Sequence, residues 1–220
     1  FINKIIKLPT SDFGMPKFEI KIRWILIAIL LPCIIKGIYV LIFNGEYVSS
    51  NMNGNEMFNT LSAGVAFTGI AAGFVEEMVF RGVILNALKK RWNMKVAVIV
   101  PSMLFGIVHV LGQDFSIGSC LLVIIAGTMV GVMFSMIAIE SGSVWNSGIV
   151  HAIWNIVIIG GGLAIGEKMD PYSVMTYVLD SKVFAITGGE FGIESSVISL
   201  IGYIIVAGIA FIMIKSNRKN

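Results

Sequence analysis

The stretch from Phe58 to Leu88 reads FNTLSAGVAFTGIAAGFVEEMVFRGVILNAL, a largely apolar run long enough to cross a lipid bilayer as a helix. Near its end the run contains three ionisable residues, Glu76, Glu77 and Arg81. Charged side chains within a bilayer are costly unless they are paired or hydrated, so they are candidates for function. The stretch therefore predicts a membrane protein with a polar site inside its spanning helices.

The composition of the whole chain supports a membrane location. Of its 220 residues 56% are hydrophobic and 13% are charged, with a mean hydropathy of +0.89, whereas soluble domains carry about 25% charged residues. The net charge of +3 is small, and the basic residues lie mostly at the ends of apolar segments. We therefore expect membrane lipid as a partner and no nucleic-acid partner.

Apolar segments of about 20 residues predict an all-α fold, a polytopic membrane helix bundle with about six transmembrane helices. The chain is predicted to be a single membrane domain over residues 1–220, with a cytoplasmic or interfacial lead-in over 1–21. The helices that carry the candidate site lie within 58–165. The predicted spans are about 22–43, 58–88, 96–111, 117–139, 144–165 and 195–214.

The distribution of basic residues predicts the orientation in the membrane. Lysine and arginine cluster before the first predicted span, after the second and after the sixth, whereas the stretch 44–57 contains neither. Basic loops usually stay on the cytoplasmic side, so an even number of spans with both termini cytoplasmic puts every basic cluster inside. The high content of Ile, Asn and Lys is typical of a low-GC bacterium, so we expect a multi-pass protein of the bacterial cytoplasmic membrane.

The cluster on the second predicted span combines an ion pair with a spare carboxylate. Glu77 and Arg81 are four residues apart, so on a helix they share a face and can pair. Glu76 points about 100° away from Glu77. A carboxyl group of this kind can take a proton from water and return it later. The alternative interpretation is a structural ion pair near a helix end.

The two histidines of the chain belong to two further clusters. Phe105 and His109 share a face of the third predicted span, and His151 and Asn155 share a face of the fifth. Either histidine alone is more simply explained as a hydrogen-bonded packing residue. Together the three clusters are expected to face one hydrated cavity, because each would otherwise lie in hydrocarbon.

The three clusters resemble the motifs of a known protein family. In chain order they read Glu76-Glu77-x-x-x-Arg81, Phe105-x-x-x-His109 and His151-x-x-x-Asn155. This order is similar to EExxxR, FxxxH and HxxxN in the CAAX protease and bacteriocin-processing (CPBP, or Abi) family of intramembrane proteases. The resemblance extends over about residues 76–155. It implies an intramembrane endopeptidase that hydrolyses a peptide bond in a membrane-associated peptide or protein.

The resemblance also implies roles for these residues. Glu76 and His109 would activate the attacking water, and His151 with Asn155 would form the oxyanion hole. The supporting residues would be Glu77, Arg81 and Phe105.

No metal or other cofactor is expected, because Asn155 beside His151 is a poor zinc ligand. The alternative is a zinc hydrolase in which Glu76, His109 and His151 bind the metal.

Two other functions compete with proteolysis. A non-catalytic membrane scaffold, or a bacteriocin self-immunity protein, would keep the same fold without cleaving a peptide, but the intact motifs argue against it. A proton-coupled transporter would also place Glu, His and Arg within spans, but the sequence has no evident inverted repeat. For a bacterial protease, we expect a bacteriocin leader, a peptide pheromone or a membrane protein as substrate before a prenylated tail.

Overall fold

The computed structural model describes residues 9–217, which form a bundle of apolar helices with a small sheet at one end. The helices are α1 (Ile22–Ile42), α2 (Gly54–Arg91), α3 (Met94–Val108), α4 (Ile117–Ser141), α5 (Val144–Ile159), α6 (Phe184–Thr187) and α7 (Val197–Asn217). The strands are β1 (Gly45–Ser49), β2 (Leu163–Gly166) and β3 (Met175–Leu179).

The helical membrane bundle expected from the sequence is confirmed. Within residues 9–217, α1, α2, α4 and α7 are each long and apolar enough to cross a membrane, and α3 and α5 are shorter apolar helices. The number of spans and the cytoplasmic position of both termini stay predictions. Part of the predicted lead-in, residues 1–8, and part of the last basic cluster, residues 218–220, lie outside the described residues.

The predicted fifth span was wrong at its end. Helix α5 stops at Ile159, and Leu163–Gly166 is strand β2 rather than helix. The glycines at 160–162 end the helix, and Gly161 has φ +80°, a backbone conformation that favours glycine. The sheet has the order β1-β3-β2, with β1 antiparallel and β2 parallel to β3. Strand β1 follows α1, β2 follows α5, and β3 comes before α7. The three strands therefore lie at one end of the bundle, here called the sheet end.

The opposite end of the bundle, here called the basic end, carries Arg91 at the end of α2 and Lys95 in the first turn of α3. The described part of the lead-in folds over this end. The indole of Trp145 donates to Pro16 O at 2.8 Å, and the backbone N–H of Val144 donates to Gly14 O at 2.9 Å. The lead-in is therefore tied to the first turn of α5 by hydrogen bonds.

Helix α2 changes its winding on both sides of its glutamates. It is π-helical over Gly64–Ala71 and Met78–Ile84 and α-helical over Ala72–Glu77 between them. Wider π turns re-aim side chains and are frequent at functional sites. Glu76 and Glu77 close the short α-helical stretch, so both carboxylates leave α2 beside the neighbouring α5.

Small residues bring the helices of the site together. A Cβ on Gly73 of α2 would lie 2.8 Å from the Cα of Ala152 on α5, and one on Gly131 of α4 would lie 2.8 Å from the Cα of Ser102 on α3. Gly69 with Gly73 on α2, and Gly127 with Gly131 on α4, have the GxxxG spacing, in which small residues permit close helix contact. The backbone contact at Gly73 fixes the distance between the glutamates of α2 and His151 of α5.

This contact predicts that Gly73→Val lowers the free energy of unfolding by about 1–3 kcal/mol, because the new side chain would overlap the backbone of α5. Unfolding in detergent micelles, followed by tryptophan fluorescence, measures the change. The matched control is Gly208→Val on α7, where an added Cβ meets nothing within 4 Å. Equal stability of the two variants would contradict the close contact between α2 and α5.

Candidate active site

The ion pair of the first motif lies in the interior of the bundle. Arg81 Nη1 donates to Glu77 Oε1 at 2.8 Å, and neither side chain is exposed. Arg81 Nη2 also donates to the carbonyl of Gly131 on α4 at 2.9 Å. The guanidinium lies over the rings of Phe105 and Phe134, at 4.6 and 5.3 Å from their centroids. Arg81 therefore connects α2, α3 and α4 and holds the carboxylate of Glu77 in place.

His151 lies between the two glutamates. Its Nδ1 is 3.3 Å from Glu77 Oε1, and its Nε2 is 3.9 Å from Glu76 Oε2. A carboxylate paired with Arg81 only accepts hydrogen bonds, so Nδ1 carries the proton and Nε2 points toward Glu76 and the cavity. The imidazole stacks on the ring of Phe134 at 4.5 Å, with an angle of 19° between the planes. Its orientation is thus set by a hydrogen bond on one side and a ring on the other.

His109 follows the last residue of α3, at the sheet end. Its Nδ1 is 2.6 Å from the carbonyl oxygen of Phe105, one turn earlier. Because a carbonyl only accepts, Nδ1 is the donor, and in the neutral ring Nε2 keeps a free lone pair. The ring of Phe105 lies against both histidines, 4.6 Å from His109 and 5.8 Å from His151 between centroids. The ring of Phe105 therefore separates the two imidazole rings.

Asn155 lies one turn beyond His151 on α5, toward the sheet end. Its Nδ2 donates to the carbonyl of Thr68 at 2.9 Å. That carbonyl belongs to the π-helical part of α2, where the winding leaves backbone oxygens available to other donors. An amide nitrogen has two N–H groups, so one remains for a ligand.

One cavity of about 180 Å³ joins these groups. Its lining includes Glu76, His109, His151 and Asn155, together with Phe105. Glu76 Oε2 is buried and has no hydrogen-bond partner among the described residues. An unpaired buried carboxylate oxygen that shares a cavity with other polar groups, here His109, His151 and Asn155, is a site for a bound water. The structure thus brings the four predicted site residues together around one space, with Glu77 and Arg81 behind His151.

The arrangement has the parts needed to add water to a carbonyl group. Glu76 offers an unpaired carboxylate oxygen, and His109 offers a lone pair. Asn155 and His151 offer nitrogen atoms on the neighbouring wall. A base, a water site and preorganised donors are the elements of amide hydrolysis by a water nucleophile.

The sequence analysis missed residues that complete the cavity. Glu194, Phe191 and Tyr203 line it from the sheet end and from α7. Glu194 lies just before the last apolar segment, where an ionisable residue at the mouth of a span could have signalled it.

The described residues do not form a metal site. Among residues 9–217, no group of three His, Cys, Asp or Glu side chains is arranged so that it could hold a metal ion. The alternative zinc ligands Glu76, His109 and His151 therefore do not fit a ligand set in this structure. Metal independence of the reaction itself stays a prediction.

Comparison with known families supports the motif resemblance. The family model described as type II CAAX prenyl endopeptidase Rce1-like matches residues 58–157. This span contains the second helix from its fifth residue onward and all three motifs. No curated protein and no solved structure matches the chain. The resemblance recognised from the motifs is therefore confirmed over residues 58–157, which are similar to the Rce1-like CAAX endopeptidases of the CPBP family.

Proposed function

We propose that this protein is an intramembrane endopeptidase in which Glu76 and His109 activate a water molecule for attack on a peptide bond. The observation that carries the proposal is the unpaired Oε2 of Glu76 at a cavity that also contains His109, His151 and Asn155. A membrane-associated peptide or protein is the substrate class that the family implies.

The reaction begins with a water held between Glu76 and the free nitrogen of His109. Glu76 takes a proton from this water as the oxygen bonds to the carbonyl carbon of the substrate, and the carbonyl π electrons move onto its oxygen. The tetrahedral intermediate then collapses, and the carbon–nitrogen bond breaks. Glu76 returns its proton to the departing amine, so the carboxylate is regenerated for the next turnover.

The negative oxygen of the intermediate is stabilised from α5. The second N–H of Asn155 Nδ2 donates to it, because the first is occupied by Thr68. His151 Nε2 donates only when the ring is an imidazolium, since Nδ1 already carries the proton shared with Glu77. Such donors aimed at a developing charge contribute strongly to catalysis.

Glu77, Arg81 and Phe105 are positioning residues in this scheme. Arg81 holds the carboxylate of Glu77 in place through the 2.8 Å ion pair, and Glu77 in turn accepts the hydrogen bond from His151 Nδ1. Phe105 separates the histidines with its ring and anchors His109 through its carbonyl. None of the three is expected to touch the substrate.

A cleavage assay tests the proposal. Purified protein is incubated with a farnesylated CAAX peptide, the same peptide without the farnesyl group, and a bacteriocin leader peptide, and the products are identified by mass spectrometry. We expect at least one of the three peptides to be cleaved. The cleavage should continue in the presence of a chelator, and the purified protein should contain no bound metal. No cleavage of any peptide would favour the scaffold or self-immunity alternative, and loss of activity with the chelator would favour zinc.

We further propose that the cavity is reached from the extracytoplasmic side of a bacterial cytoplasmic membrane. His109, Phe191 and Glu194 lie at the sheet end, and the lysines and arginines around α2 and α3 lie at the basic end. If basic residues stay in the cytoplasm, the sheet end faces outward. The substrate segment would then be cleaved on the outer side.

Single-cysteine variants test this orientation, after Cys33 and Cys120 are replaced by alanine. The variants are Tyr172→Cys and Lys90→Cys. Tyr172 lies near the sheet and is 81% exposed, and Lys90 lies at the basic end with its side chain 58% exposed. A membrane-impermeant maleimide is expected to label Tyr172→Cys in intact cells and Lys90→Cys only after permeabilisation. The reverse pattern would overturn the proposed orientation.

A further inference from the structure

A second chamber of about 680 Å³ adjoins the candidate active-site cavity at the sheet end. Three residues, Ile159, Phe191 and Glu194, line both spaces and so form the partition between them. The remaining walls of the chamber come mainly from β2 with the segment that follows it and from the residues around Gly189, with single contributions from the start of α4, from α5, from β3 and from α6. A substrate that reaches Glu76 from the sheet end would pass this partition.

The backbone at Glu194 is held firmly. It forms part of a 3₁₀ turn, Ile193–Ser195, that ends just before α7. Tyr203 Oη donates to the carbonyl of Glu194 at 2.9 Å, and Ser199 Oγ donates to the carbonyl of Ile193 at 2.6 Å. Both donors belong to α7. The turn therefore has a fixed position relative to the bundle.

The carboxyl group of Glu194, unlike the backbone of this turn, does not help to hold the turn in place. Among residues 9–217 no side chain or backbone group is hydrogen-bonded to its carboxyl group, whereas its backbone carbonyl accepts from Tyr203. Glu190, four residues earlier, differs in this respect, because its carboxylate accepts from the backbone of Ser116 at 2.8 Å. A carboxyl group without a partner, at the junction of two cavities, is available to a ligand.

We propose that Glu194 is a substrate-positioning residue that hydrogen-bonds the polypeptide backbone of the substrate as it passes from the outer chamber to Glu76 and His109. This inference rests on the proposed peptidase function and adds a fifth polar group to its site. Glu194 lies outside residues 58–157, so it belongs to a part of the chain that the family match does not cover.

The protonation state of Glu194 suits this role. Burial raises its pKa to about 8, so below that pH the carboxyl group is mostly neutral and offers both a donor and an acceptor. A peptide backbone has one of each per residue, so a neutral carboxyl group can satisfy both. Above pH 8 the group loses its donor and becomes negative. The other titratable side chains facing the two spaces are Glu76, His109, His151, Tyr203, Glu167, Lys168, Asp170 and Glu190.

Binding of a fluorescein-labelled farnesylated CAAX peptide tests the proposal in a Glu76→Gln background, where cleavage does not interfere. With Glu194 present, the dissociation constant is expected to rise about fivefold between pH 7 and pH 9, as one neutral hydrogen bond is lost. Glu194→Gln, which mimics the neutral group, should bind equally at both pH values. Glu194→Ala should bind about fivefold more weakly already at pH 7. Glu46→Gln, an exposed glutamate on β1, is the matched control and should behave as the parent.

A second measurement keeps the inference separate from the proposed chemistry. Dicyclohexylcarbodiimide, which modifies protonated carboxyl groups in apolar surroundings, is expected to label Glu194 at pH 7 but not at pH 9.5, as read by mass spectrometry of its peptide. Saturating CAAX peptide should block the labelling. Labelling unaffected by the peptide, or the same affinity in Glu194→Ala as in the parent, would overturn the role of Glu194. Binding and protection without any turnover in the unmutated protein would instead overturn the peptidase function and leave the Glu194 contact standing.

Discussion

Glu76→Gln is expected to lower the rate of peptide cleavage by about 10²–10⁴-fold, the usual contribution of a general acid or base. The amide keeps the shape of the carboxylate, but it cannot take a proton from water or return one to the departing amine. Since Glu76 Oε2 has no hydrogen-bond partner among the described residues and the side chain is 34% exposed, the substitution should cost the fold little stability. Cleavage rates and thermal unfolding of the same preparations measure the two effects.

The control for this variant is Glu46→Gln, which removes one carboxylate from an exposed position on β1. It should cleave the peptide at the unmutated rate.

His109→Gln should lower the cleavage rate as Glu76→Gln does, because it removes the second group that holds the attacking water. An unchanged rate in Glu76→Gln would exclude Glu76 as the base and with it the proposed mechanism.

Arg81→Met is expected to have the largest effect on stability, lowering the free energy of unfolding by about 3–5 kcal/mol. Both partners of the Glu77–Arg81 pair are fully buried, so removing the guanidinium leaves an uncompensated carboxylate in the interior. The variant also loses the hydrogen bond to the carbonyl of Gly131 on α4. Denaturation in detergent micelles measures the change.

A double variant separates the structural part of this effect from the functional part. Glu77→Leu with Arg81→Met replaces the buried pair by apolar side chains and should recover most of the lost stability. It should remain inactive, because His151 Nδ1 no longer has the acceptor that orients the ring. Recovery of both stability and cleavage would show that Glu77 has no positioning role.

The control for Arg81→Met is Lys90→Met, which breaks the exposed ion pair with Asp12. This change should lower the free energy of unfolding by less than about 1 kcal/mol.

The apolar pattern of the sequence was sufficient to predict most helix positions. The predicted spans 22–43 and 117–139 correspond to α1 (Ile22–Ile42) and α4 (Ile117–Ser141). Long apolar runs have few alternatives in a bilayer, because backbone groups must pair within the helix. The strand Leu163–Gly166 could not be recognised, since a short apolar run after a helix reads as its continuation. Its conformation depends on β3, which lies about ten residues further along the chain.

The candidate residues were evident in the sequence because an ionisable group within an apolar run stands out by composition alone. By itself the sequence thus determined the helical membrane bundle, the three motifs and the family model that they match over residues 58–157. Only the tertiary structure decided which nitrogen of each histidine is free, that Glu76 Oε2 lacks a partner, and that Glu194 joins the cavity. The physical reason is that hydrophobicity acts along each segment separately, whereas proton positions and cavities arise from contacts between segments distant in the chain.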